Sequence, residues 1–197
     1  MKIISATFDK SAAAPGQYPP ALLPEIAFAG RSNVGKSSLI NTLVNRRHLV
    51  KTGQTPGKTR LINFFIINNE FCFVDLPGYG YARVPASERK KWGEMVETYL
   101  QTRSTLRGVV LLQDIRRTPG QEEDELLDFL GHFGIPAIIV LTKADKLSKN
   151  KQIGQTKRIR EALDLEAGET LCFSAKSQQG ADSLWEMISR LLEPGGV

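Results

Sequence analysis

Four short segments of this chain carry residue types at spacings suited to phosphate and base chemistry. The first is Gly30-Arg31-Ser32-Asn33-Val34-Gly35-Lys36-Ser37, a G-x-x-x-x-G-K-S pattern between the apolar run Ile26-Ala27-Phe28-Ala29 and a helical pattern entered through Ser38. Gly30 and Gly35 let the backbone wrap closely around phosphate oxygens, so that its N–H groups and those opening the helix face the anion. Lys36 reaches the β- and γ-phosphates of a nucleoside triphosphate, and the Ser37 hydroxyl ligates Mg²⁺. The second segment, Asp75-Leu76-Pro77-Gly78, follows the apolar run Phe71 to Val74. There Asp75 holds the same ion through water, and the Gly78 N–H contacts the γ-phosphate. The third, Thr142-Lys143-Ala144-Asp145, closes the run Ala137 to Leu141. A carboxylate accepts from both N1–H and the exocyclic amine of guanine, and adenine offers no such donor pair. Asp145 therefore reads the base, and the aliphatic stem of Lys143 lies along it. The fourth, Ser174-Ala175-Lys176, puts the Ala175 N–H near the guanine oxygen. Together they specify GTP or GDP rather than ATP.

Each segment stands at the carboxyl end of an expected strand, where ligands bind in open α/β sheets. Apolar runs predict strands at 25–29, 61–67, 71–75, 107–113, 136–142 and 169–173. Helical spacing fits 36–45, 87–102, 120–132, 148–164 and 180–192. Alternation of the two predicts a mostly parallel six-stranded sheet with helices on both faces, a three-layer α/β domain over residues 25–197. Asn68-Asn69 joins the second and third strands as a tight hairpin, which makes one edge strand antiparallel. Residues 1–24 read as an extended lead-in, rich in Ala and Pro from residue 11 onward. Leu184, Met187, Ile188, Leu191 and Leu192 form a core-facing stripe on the last helix.

With 197 residues, 41% hydrophobic and 24% charged, the chain can bury a core of its own, and wholesale disorder is excluded. Cys72 and Cys172 sit in apolar runs as reduced strand residues, and His48 and His132 are isolated, so no Cys/His metal pattern exists. The first twenty residues lack an apolar signal core, and the run Ile135 to Leu141 is too short to span a bilayer, which points to the cytoplasm. The net charge of +5 hides segregation. Arg46, Arg47, Lys51, Lys58 and Arg60 form one basic cluster, and Lys143, Lys146, Lys149, Lys151, Lys157, Arg158 and Arg160 another, whereas Glu122 to Glu125 and Asp128 are acidic. Basic stripes of this kind attract RNA phosphates, although charge runs on helices are commonly just solvated faces.

The stretches LPEIAFAGRSNVGKSSLIN, TPGKTRLINFF, FVDLPGYGYA, TKADK and FSAKSQQG resemble the EngB (YihA/YsxC) family of bacterial GTPases, within the wider Era-like class. Thr142 stands where most small GTPases carry Asn, and Thr is characteristic of this family. The resemblance implies a P-loop GTPase fold and makes Thr59, in Pro56-Gly57-Lys58-Thr59, the switch threonine that ligates Mg²⁺, with Thr55 as the alternative. It implies a monomer that acts in large-ribosomal-subunit assembly through rRNA contact, with a link to cell division and septation and no membrane or DNA partner. A GTP-dependent binding module in division, with incidental hydrolysis, is the second reading. Many GTPases orient the attacking water with a Gln just after D-x-x-G; Tyr79 occupies that position here, which predicts slow intrinsic hydrolysis. Related GTPases use an Asn at the place of Asn33 to help bind K⁺ in the role of an arginine finger.

Overall fold

The computed structural model describes residues 1–50, 61–80, 86–166 and 168–193. Its strands are β1 (Ala6–Ala12), β2 (Glu25–Gly30), β3 (Ile62–Ile67), β4 (Phe71–Asp75), β5 (Leu106–Asp114), β6 (Ala137–Thr142) and β7 (Thr170–Cys172). Its α-helices are α1 (Lys36–Leu43), α2 (Ala86–Thr102), α3 (Gln121–His132), α4 (Lys149–Ala162) and α5 (Ala181–Leu192). All six strands and five helices expected from periodicity are present, with ends displaced by a few residues at most.

The strands form one sheet in the order β1-β3-β4-β2-β5-β6-β7. Strands β4, β2, β5, β6 and β7 run parallel, and β3 is antiparallel to both of its neighbours. The hairpin between β3 and β4 turns on Asn68 and Asn69, with φ of 52° and 57°, and Glu70 N–H donates to the Ile67 carbonyl at 2.9 Å. Two consecutive positive-φ residues are what a two-residue turn between twisted strands demands, and Asn tolerates that region better than most residues.

The sheet has one strand more than the six expected, because part of the lead-in pairs with β3 as β1. The reversed strand β3 is therefore covered, and β1 becomes the edge. Most of β1 is exposed, so it carries no apolar run to announce it. Its position comes from partners remote in sequence. The Asn68 side chain accepts from the N–H groups of Ile4 and Ser5 and donates to the Lys2 carbonyl, while the Ser11 hydroxyl donates to Asn63.

Alternation along the central strands splits the core between two faces. Ile26, Phe28, Val110 and Leu112 point toward α1 and α5, where Leu39, Leu184, Trp185 and Ile188 cover them. Ala27, Ala29, Val109 and Leu111 face the other way, with Tyr99, Leu100 and Leu130. The predicted α5 stripe packs as expected: Leu184 and Ile188 are fully buried, and Met187, Leu191 and Leu192 partly so. Burial pushes the Cys72 thiol up to about 12, so it stays protonated as an inert core side chain. Among the described residues, no helix is long and apolar enough to cross a membrane.

Candidate functional site

The central strand β2 ends at Gly30, and α1 starts only six residues later, so the intervening loop turns sharply across the carboxyl edge of the sheet. Gly35 caps α1 with φ 110° and ψ 15°, a conformation in which any Cβ would be strained. This cap offers no side chain to the helix N-terminus. The first-turn N–H groups of Lys36, Ser37 and Ser38 are thus the orphan donors that every helix start leaves, aligned with the positive end of the dipole. An anion satisfies them.

Opposite this cap, β4 ends in Asp75, which pairs in register with Phe28 of β2. Lys36 and Asp75 are both buried, and the Lys36 ammonium donates to the Asp75 carboxylate. Gly78 lies against the loop: a Cβ there would stand 3.2 Å from the Ser32 nitrogen, a tighter contact than most side chains make. Next to it, the Tyr79 carbonyl accepts from Ser32 N–H at 2.8 Å. The Arg31 side chain extends away to Glu122 at the start of α3, 3.2 Å distant.

The base-side motifs lie beyond the loop. Thr142, buried at the end of β6, donates its hydroxyl to the Val34 carbonyl at 2.7 Å and lies 3.2 Å from that of Gln113. Lys143 has φ 60°, and its ammonium donates to the Asn33 carbonyl at 2.7 Å. Consecutive residues thus bond consecutive carbonyls of the phosphate loop and fix its distance from the base motif. Asn33 itself is exposed, with φ 62°. Asp145 Oδ1 accepts from the buried Ser174 hydroxyl at 2.7 Å, and the Lys146 ammonium is 3.6 Å from Oδ2. These donors, the Ser174 hydroxyl foremost, hold the exposed Asp145 carboxyl below its ordinary range, so it presents two ionised acceptor oxygens at neutral pH. Ala175 is partly buried beside it, and Lys176 is exposed.

Gly30 to Ser38, Asp75, Gly78, Thr142, Lys143, Asp145 and Ser174 to Lys176 thus line one edge of the sheet. Gly57, Lys58 and Thr59, with the alternative Thr55, lie outside the described residues. Ser37 and Asp75 are hard oxygen donors, and among the described residues no three His, Cys, Asp or Glu side chains gather as a metal cage. One carboxylate and one hydroxyl fit Mg²⁺, which retains waters and takes its other ligands from phosphates.

The structure adds residues that the motifs did not flag. Asp114 ends β5 in register with Thr142 and is buried against Lys143 and Arg116. Gln152, buried on α4, donates to the Ala144 carbonyl at 2.8 Å and supports the turn that carries Asp145. Glu123, on α3, lies beside the Tyr79 phenol, whose hydroxyl is buried with no hydrogen-bond partner among the described residues. For Asp114 a signal did exist, a carboxylate closing an apolar strand. Gln152 and Glu123 had none. On the basic α4, the side chains of Lys149, Lys151, Lys157 and Arg158 are exposed, and that of Arg160 partly so.

A family model described as a 50S ribosome-binding GTPase matches residues 25–143. A probable GTP-binding protein EngB of Geobacter sp. (strain M21) is 55% identical over 194 residues, 98% of this chain and 91% of that protein. The protein of the same name from Desulfatibacillum aliphaticivorans is 56% identical over 193 residues, 98% of this chain and 94% of its own. The crystal structure of a probable GTP-binding protein EngB superimposes with a TM-score of 0.72 at 27% identity, covering 85% of this chain and 98% of that one.

Proposed function

This chain belongs to the EngB family of GTP-binding proteins, a family of GTPases, and from that premise we propose that it is a slow, Mg²⁺-dependent GTP switch that docks on the large ribosomal subunit or its precursor. The observation that carries the reading is the arrangement at the carboxyl edge of the sheet. Lys36, an uncapped helix start and Asp75 stand at one end, and Asp145, held ionised by Ser174, stands at the other.

In this reading the N–H groups of the loop and of Lys36 to Ser38 bind the phosphates, and the Lys36 ammonium leaves Asp75 for the β- and γ-oxygens. Ser37, Asp75 and Thr59 would hold Mg²⁺, which when bound would offset the charge gathering on the phosphate oxygens. The Gly78 N–H and Thr59 distinguish GTP from GDP by reaching the γ-phosphate, which is how a switch biases its loops. Slow turnover follows from Tyr79. Burial, and then the neighbouring Glu123 carboxylate, push its phenol far above the ordinary value, so it stays neutral and cannot act as a base toward water. Asn33, exposed at the turn of the loop, would help bind a K⁺ that supplies the missing charge. Docking on a cytoplasmic ribosomal particle draws support from the exposed bases of α4 and from the description of the matching family model. The family-level link to cell division leaves room for a binding role in which hydrolysis is incidental.

The test is a titration of wild type and Asp145→Asn with fluorescent GTP, GDP, ATP and XTP, followed by turnover in KCl and in NaCl. Guanine selectivity that shifts to xanthine in the variant is the expected result, with faster turnover in KCl. Equal binding of ATP would sink the guanine reading. Co-sedimentation with large-subunit precursors that is lost when GDP replaces a non-hydrolysable GTP analogue separates the ribosomal role from the division role.

A further inference from the structure

Asp114 is a buried carboxylate held on both oxygens. Oδ1 accepts from Arg116 N–H at 3.1 Å and Arg116 Nε at 2.9 Å, Oδ2 accepts from Arg116 Nη2 at 2.7 Å, and the Lys143 ammonium pairs with Oδ2 at 3.0 Å. Three hydrogen bonds and one ion pair hold the two oxygens, so the carboxylate cannot turn without breaking a contact. Burial alone would raise its pKa, but the bonds from Arg116 and Lys143 outweigh that and hold it well below the ordinary range.

Lys143 is constrained from both ends by this arrangement. Its backbone is held at φ 60°, and its ammonium is caught between the Asn33 carbonyl and Asp114. A free lysine stem loses substantial rotamer entropy when a ligand orders it. A stem fixed at both ends has already lost that entropy. We infer that Asp114 is a positioning residue for guanine recognition: its carboxylate, fixed by Arg116, anchors the Lys143 ammonium, so that the Lys143 stem stands as a fixed wall for the base before nucleotide arrives. This rests on the reading of Lys143 and Asp145 as the guanine site. Asp114 touches no nucleotide itself. It acts through Lys143, and Arg116 sets its orientation.

The test is the dissociation rate of fluorescent GDP from the full chain with Mg²⁺, for wild type, Asp114→Asn, Lys143→Met and the double variant. Asparagine keeps the shape but not the charge, and methionine keeps most of the stem but not the ammonium. Each single variant should release GDP about tenfold faster, the size expected for losing one charge-assisted bond. The double variant should be within about twofold of Lys143→Met alone, because both changes remove the same anchor. Rates that multiply in the double variant would mean Asp114 acts through the general fold and would overturn the inference, as would a wild-type rate in Asp114→Asn. Should Asp114→Asn fail to fold, Lys143→Met decides: an unchanged rate there means that anchoring does nothing. If wild type shows no guanine selectivity, the site reading falls and this inference with it. If wild type is selective and the variants are silent, only the inference falls.

Discussion

The two ends of the sheet each bury an ion pair, and the pairs differ in how completely they are satisfied. At the amino end, Glu25 opens β2 and accepts from Arg103 Nε at 2.8 Å, from Arg103 Nη2, and from the Tyr99 hydroxyl at 2.7 Å. The guanidinium also lies over the rings of Tyr18 and Phe64, 5.8 and 5.7 Å from their centroids. At the carboxyl end, Lys36 and Asp75 have each other and, among the described residues, no further side-chain hydrogen bond. A planar guanidinium with a two-point bond and aromatic faces is built to stay, whereas an ammonium on a flexible stem can exchange one anion for another. The first pair closes the structure. In the proposed reading, the second holds two charges in place for groups that would separate them, a phosphate for Lys36 and a metal ion for Asp75. Burial of charge therefore does not by itself mark a functional site; what sets Lys36 and Asp75 apart from Glu25 and Arg103 is the valences they leave open.

The largest expected effect breaks the closed pair. Arg103→Met leaves Glu25 buried with one hydroxyl donor, and removing one member of a buried pair costs about 3–5 kcal/mol. Urea unfolding should show that loss, while the folded variant binds GDP as wild type does. The open pair should lose less. Lys36→Met combined with Asp75→Asn removes both charges together and leaves only a neutral amide buried without its partner, so stability without nucleotide should fall by at most about 1–3 kcal/mol. Stabilisation by GDP and Mg²⁺, about 4 kcal/mol at a thousandfold excess over Kd, should vanish. If the double variant is as unstable as Arg103→Met, the two ends are alike and the comparison fails.

These pairs were not equally legible in the sequence. Lys36 and Asp75 could be read because each belongs to a short motif whose chemistry is local. The central strands were legible because parallel strands covered on both faces are continuous apolar runs. Glu25 and Arg103 are 78 residues apart, and nothing local to either says that they meet. Asp114 reaches Lys143 only because β5 and β6 are in register at Asp114 and Thr142. The edge strand β1 was missed for a related reason, since a half-exposed strand is specified by its partner and by the Asn68 turn rather than by its own composition.

A smaller and more symmetric comparison removes one hydroxyl from each end. Tyr99→Phe deletes a donor to Glu25, and Thr142→Val deletes the donor to the Val34 carbonyl. Each leaves a buried acceptor less satisfied, at about 1–2 kcal/mol in unfolding. Only Thr142→Val should also speed GDP release, because only that hydroxyl joins the base motif to the phosphate loop. Equal effects on release from both would mean that stability, not position, sets the rate.

The smallest effect is one of pH. Asp145 lies below the ordinary carboxyl range chiefly because the Ser174 hydroxyl donates to it, with burial opposing and Lys146 assisting. A depressed pKa means that the ionised acceptor is fully present above the ordinary range of about 4 and is lost only as pH falls through the lower folded value. Wild-type GDP affinity should thus be flat from about pH 8 to about pH 5, as far as Asp145 is concerned. Ser174→Ala removes the donor, so the folded pKa climbs toward the ordinary value and the acid limb of the affinity profile starts at higher pH. The amino end offers the control, since Tyr99→Phe touches no group at the base site and should leave that limb where wild type has it. A limb that moves in both variants would trace to acid unfolding, and one that moves in neither would mean that Ser174 positions the Asp145 carboxylate without tuning it.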